Sequence, residues 1–141
     1  MGSRRSKSDG AIYVTDVDWE RLEALLADVQ SHVQRDREHL RELAEALGRA
    51  CVVAYNEIPA DVVTMNSQVR LRDEDAGTDM VLNLVYPESA NLRRGKVSIL
   101  TPIGAALLGS RVGDAVEWIV HRRLCRLHIE RIMYQPKWSW I

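Results

Sequence analysis

The sequence predicts an α+β fold. An N-terminal antiparallel helical hairpin, a short coiled coil, should precede an antiparallel sheet that carries one short helix. Three observations point there. Leu22, Leu25, Leu26, Val29 and Val33 repeat at helical spacing, as do Leu40, Leu43, Ala44 and Leu47. From residue 62 onward, short apolar runs alternate with turn formers. One apolar stretch, Ile103–Leu108, follows a proline suited to a first helical turn.

Thr15 has the side chain of a helix N-cap, and Asp18 stands three residues on, as in a capping box. Gly48 is a plausible stop for the second helix. Residues 34–39 are wholly polar but lack Gly and Pro. Two readings follow: a turn between two helices, or one continuous helix with Asp36 at a seam position. Folding back is favoured because each apolar stripe then finds a partner.

In the second half, Val62, Val63, Met65, Val69 and Leu71 read as extended chain, ended by the polar turn 73–77. Met80 to Tyr86 is a second strand closed by Pro87, and Val97 to Leu100 a third. Gly109 stops the short helix, and Gly113-Asp114 is a turn dipeptide. Ala115 to Val120 and Leu124 to Met133 are two final strands joined near Arg122. One helix over consecutive, closely connected strands makes the class α+β.

The 141 residues suffice for a hydrophobic core without disulfides. Charge is balanced, 19 basic against 20 acidic residues, which argues against coating nucleic acid by bulk positive charge. No apolar run approaches the roughly 18 residues of a membrane span. Two cysteines, Cys51 and Cys125, are too few for a disulfide framework and fit a reducing cytoplasm. Both are expected in the core, Cys125 because it alternates with Leu127 and Ile129. Residues 1–10 are basic and Ser/Gly-rich, the composition of a disordered leader or cloning remnant. They also match a myristoylation pattern through Gly2 and Ser6.

Little catalytic chemistry is visible. No phosphate-binding loop, nucleophile elbow or zinc spacing occurs, so neither a cofactor nor a metal is expected. Asp28, Asp36, Glu38, Glu42 and Glu45 fall on the helical region. At a protruding tip, carboxylates can hold Mg²⁺ for a partner. The plainer reading is a solvated face balanced by Arg35, Arg37 and Arg41. His121, Arg122, Arg123, Arg126, His128 and Arg131 form a basic segment, with Arg126 and His128 on the strand face opposite Leu127 and Ile129. Without an interleaved aromatic, a solvated outer face is the better reading than base recognition. Trp138 and Trp140, after Pro136, are either a partner anchor or part of a loose tail.

Four strings carry a family likeness: EIPADVVTMNSQVRLRD (57–73), LVYPE (84–88), VSILTPIGAALLGSRVGDAVEW (97–118) and YQP (134–136). They closely resemble the regulator of nucleoside diphosphate kinase (Rnk) family, within the wider Gre transcription elongation factors. The resemblance covers roughly residues 14–136. It implies a helical hairpin over 13–50, an FKBP-like C-terminal domain over 51–136, a leader over 1–12 and a tail over 137–141. It does not imply isomerase activity, because a chain without Phe lacks the aromatic-lined proline pocket. It implies binding to bacterial RNA polymerase near the secondary channel, with Leu100, Thr101 and Pro102 on the matching docking loop. Cleavage-stimulating Gre factors carry acidic pairs at the tip of a long arm. Asp36 and Glu38 are the tip candidates here, although the pair does not map residue by residue. An arm of about 15 residues reaches only about 22 Å, about half of a 30-residue arm. The segment HRRLC (121–125) also departs from the Pro/Gly-rich turn of relatives.

The resemblance thus implies a non-enzymatic cytoplasmic transcription regulator, with no sequence-specific nucleic-acid contact and no membrane contact. Two alternatives are a cleavage-stimulating factor using the tip carboxylates, and a regulator that binds a nucleotide-metabolism enzyme such as nucleoside diphosphate kinase.

Overall fold

The computed structural model describes residues 11–30 and 38–136. The chain opens with a short strand β1 (Tyr13–Thr15), then α1 (Asp16–Gln30) and α2 (Glu38–Gly48). Strand β2 (Cys51–Val53) follows and pairs in parallel with β1. The rest is β3 (Gln68–Asp73), β4 (Thr78–Val85), β5 (Lys96–Ser98), α3 (Pro102–Leu107), β6 (Ala115–Val120) and β7 (Arg123–Tyr134). The second sheet has the order β5-β4-β3-β7-β6.

Thr15 caps α1, its hydroxyl oxygen accepting the Asp18 N–H at 3.1 Å. The beginning of α1 meets the end of α2, where the Trp19 indole N–H donates to the Leu47 carbonyl at 3.0 Å. Leu22 and Leu26 of α1 and Leu40, Leu43, Ala46 and Leu47 of α2 are buried. They join one core with Val69, Leu71, Leu84, Leu107, Val116, Leu127 and Ile129 from the sheet and α3. The helices therefore form a layer over α3 and the sheet, which satisfies the amphipathic pattern of α2 directly. Of the polar segment 34–39, where the sequence suggests a turn, Glu38 and His39 instead begin α2, and the rest falls within residues 31–37, outside the described residues, as do residues 1–10 and Trp138 and Trp140.

Several expectations need correction. The extended run over 62–71 yields a strand only from Gln68. Before it, the Thr64 N–H donates to the Ser67 hydroxyl, and Asn66 takes φ +66°, so the chain turns rather than extends. Val62 and Val63 are buried, but they bond to residues 109–111 instead of the sheet. The sheet is not purely antiparallel. Residues 86–95 loop back through two three-ten turns, so β5 re-enters parallel to β4. Ile12, placed in the leader, is 7% exposed and packs in the core. Cys51 is exposed on β2 rather than buried, because that strand belongs to a two-stranded pair with little to cover it. Cys125 is half-buried and pairs with Trp118 on the same side of the sheet as Leu127.

Candidate docking site

The loop into α3 is tied down from every side. The Leu100 N–H donates to the Ser98 hydroxyl at 3.0 Å, and the Thr101 N–H to the Ser98 carbonyl at 3.1 Å. The Thr101 hydroxyl donates to the Ser98 carbonyl at 2.7 Å and accepts the Gly104 N–H at 3.1 Å. This makes Thr101 the N-cap of α3, with Pro102 in the first turn as its fixed φ favours. Gly104 is required by contact. A Cβ there would stand 2.0 Å from the Ser98 carbonyl oxygen. The backbone of α3 thus rests on the backbone of the preceding strand, and the Thr-Pro-x-Gly order follows from that approach.

The remaining polar group of the loop is answered from the other half of the chain. A ring nitrogen of His39, Nε2, lies 2.9 Å from the Leu100 carbonyl oxygen. Since a carbonyl only accepts, His39 is the donor. His39 sits in the first turn of α2, beside exposed Glu38, which is ion-paired with Arg41. Leu100, Thr101 and Pro102 are each half-buried. Of the two tip candidates, Glu38 is a solvated, paired carboxylate, and Asp36 lies outside the described residues. Among the described residues no cluster of three His, Cys, Asp or Glu can hold a metal ion. No described helix is long and apolar enough to cross a membrane.

A second junction lies at the opposite end of the helices. Asp18 spends its carboxylate on the sheet domain, accepting the Met65 N–H at 3.2 Å and the Tyr86 hydroxyl at 3.1 Å. Burial pushes its pKa above the ordinary 3.8, against the lowering effect of these bonds. The Tyr86 phenol is also pushed up, by burial first and then by the Asp18 charge. Arg21 stacks 3.7 Å above the centre of the Tyr86 ring and pairs with Glu88. Asp18, Arg21, Met65 and Tyr86, with Tyr55, Asn66 and Gln135, line a cleft of about 500 Å³. Gln135 closes one wall by donating to the carbonyls of Pro59 and Val62, at 2.9 and 2.8 Å. The segments bearing IPADVV and YQP are thereby locked together.

The basic segment resolves into two parts. Arg126 and His128 face away from buried Leu127 and Ile129, and Arg126 approaches Glu117 at 3.5 Å across the strand pair. His121 and Arg122 form the two-residue turn of the last hairpin, both in the left-handed region, with φ +52° and +66°. That conformation normally selects Asn or Gly. Sequence reasoning missed His39 and the tertiary role of Asp18. The capping position of Asp18 concealed its long-range partners, and a lone His on a helix carries no local signal.

A helical pair laid on a curled, mostly antiparallel sheet has counterparts among transcription factors. Residues 58–134 match the family described as transcription elongation factor, GreA/GreB, C-terminal, and residues 11–53 match the Rnk N-terminus. The chain belongs to the GreA/GreB transcription elongation factor family, in the form that carries an Rnk-type N-terminal segment. It is 35% identical over 127 residues to the regulator of nucleoside diphosphate kinase of Escherichia coli (strain K12), covering 89% of this chain and 91% of that protein. It is 31% identical over 98 residues to the transcription elongation factor GreA of Rhodospirillum rubrum, covering 66% of this chain and 62% of that protein. A solved GreA/GreB-type elongation factor from Nitrosomonas europaea superposes with TM-score 0.74 at 39% identity, covering 88% and 98% of the two chains.

Proposed function

We propose that the protein is a non-enzymatic regulator of bacterial transcription. It docks on RNA polymerase beside the secondary channel through Leu100, Thr101 and Pro102, and does not stimulate transcript cleavage. The observation that carries this reading is the pairing of a rigid, capped loop with helices laid on the same body. His39, bonded to the Leu100 carbonyl, stands at the far end of the helical pair from Trp19 and Leu47. Asp36 precedes His39 by three positions in the sequence. Glu38 is its immediate neighbour. An arm built to carry carboxylates into a channel must hold them much farther from its docking loop, about 45 Å for 30 helical residues. The short helical hairpin of this chain therefore sits at the rim beside the loop. It can compete for the site while leaving the chemistry to the polymerase.

Purified core polymerase and the intact chain test the reading in a pull-down, with a GreA factor as the positive control. Retention is expected. Absence of retention, with GreA retained, sinks it. On stalled elongation complexes, no added cleavage is expected, and Asp36→Ala with Glu38→Ala should change nothing. Cleavage that disappears in the double variant would favour the catalytic alternative.

The name of the Escherichia coli relative favours a second reading, direct association with nucleoside diphosphate kinase. Co-elution of the two purified proteins at micromolar concentration supports it, and separate elution counts against it.

A further inference from the structure

We infer that the docking surface is composite: loop 98–102 and the first turns of α2 form one face, and His39 is the positioning residue that joins them. The inference rests on the proposed docking through Leu100–Pro102 and specifies what that surface contains.

The hydrogen-bond accounting of the loop leads to it. The Leu100 N–H, the Thr101 N–H and the Thr101 hydroxyl are all used within 98–104, and the Thr101 carbonyl accepts the Ala105 N–H at 2.9 Å. Pro102 has no N–H to offer. The Leu100 carbonyl is taken by His39, 61 positions away in the chain. A partner gripping this loop therefore meets no free backbone donor in Leu100–Pro102. It meets the apolar atoms of Leu100 and Pro102, and apolar contact alone gives little discrimination.

Charge comes from α2. Exposed Glu42 lies one turn on from His39, on the same side of the helix, and exposed Glu38 precedes it. Glu38 is already ion-paired with Arg41, so Glu42 is the carboxylate offered to a partner beside the apolar knuckle, as a polar rim borders an interface core. The chemistry fits a protein surface with an apolar patch flanked by cationic side chains. His39 sets the relation of the two parts, since its bond fixes the Leu100 peptide against the first turn of α2. Buried Leu40 and Leu43 hold that helix on the body independently of His39.

The experiment is a titration of purified core polymerase with the intact chain and four variants, with melting temperatures recorded for each. Pro102→Ala probes the loop itself and is expected to weaken binding. His39→Ala is expected to weaken binding about tenfold, as for one positioned hydrogen bond. His39→Gln places an amide N–H near the same carbonyl and should restore most of the affinity, which a merely structural loss would not. Glu42→Lys disturbs no buried group and should weaken binding by a similar factor through charge repulsion. Should His39→Ala unfold the chain, His39→Gln and Glu42→Lys still decide the matter. Wild-type affinity for Glu42→Lys and for a folded His39→Ala, with Pro102→Ala weakened, overturns the composite surface and leaves loop docking intact. No binding by the wild-type chain, or full binding by Pro102→Ala, overturns the loop-docking reading and the composite surface with it.

Discussion

Two joints fasten the helices to the sheet domain, and they are made of different material. At the α2 joint, Leu40, Leu43 and Leu47 are sunk into the common core, with one hydrogen bond from His39 at the edge. At the α1 joint, beside the buried Leu22 and Leu26, Asp18 and Arg21 add a polar set, reaching Met65, Tyr86 and Glu88 through hydrogen bonds, a stacked cation and an ion pair. The first kind of contact scales with apolar area and is not screened by salt. The second depends on protonation and screening. The difference locates rigidity beside loop 98–104 and solution-sensitivity beside the cleft.

The largest effect should come from beneath the α2 joint. Gly104→Ala drives a Cβ into the Ser98 carbonyl, which is backbone and has nowhere to rotate. Destabilisation by more than about 3 kcal/mol is expected from such overlap. Leu43→Ala attacks the same joint from above. Leu43 is 1% exposed, so its truncation should cost about 2–5 kcal/mol. Urea unfolding of both variants checks these values. Costs below 1 kcal/mol for both would show that the α2 joint is not the rigid one.

Asp18→Ala breaks the polar joint, stranding the Met65 N–H and the Tyr86 hydroxyl without their acceptor. About 1–3 kcal/mol should be lost. The pH dependence separates this joint from the other. Burial raises the folded-state pKa of Asp18 above the 3.8 of the unfolded chain. Between those values the folded state binds the proton more tightly. The Asp18 contribution is thus fully present below pH 3.8 and declines as pH rises through the folded value. Asp18→Asn has no such titration. The stability of wild type minus that of Asp18→Asn should therefore fall from acid to neutral pH, while the same difference for Leu43→Ala stays flat. A flat profile for Asp18→Asn would erase the contrast.

Legibility in the sequence divides along the same line. Short-range chemistry was readable: Thr15 as a cap, Pro102 in a first turn, and the β6–β7 hairpin from its alternation, whereas the capping role of Thr101 emerged only from the structure. The strings around IPADVV, TPIG and YQP identified the family, and they sit at specific close contacts: Gly104 lets backbone meet backbone, and the Gln135 side chain bonds to the carbonyls of Pro59 and Val62. What stayed hidden depends on distance along the chain. The Asp18 and His39 contacts span 47 to 68 positions. The parallel entry of β5 depends on two successive turns over 86–95, which no periodicity encodes. The 121–122 turn was legible as a departure from Pro/Gly but not as a left-handed pair, because His and Arg seldom adopt it.

Arg21 supplies the smallest and most discriminating perturbation of the polar joint. Its ion pair with Glu88 is open to solvent, the two side chains being 52% and 62% exposed. Its stacking on Tyr86, at 3.7 Å, is the more sheltered contact. Arg21→Ala should cost less than about 1 kcal/mol, and part of that cost should vanish in high salt as the exposed pair is screened. Arg21→Lys keeps the charge but not the planar stacking, so it should fall between wild type and Arg21→Ala at low salt. If Arg21→Ala instead costs as much as Asp18→Ala, the joint is centred on the stacked cation rather than the buried carboxylate. Its sensitivity would then be to ionic strength more than to pH, and the contrast with the apolar α2 joint would have to be redrawn on that basis.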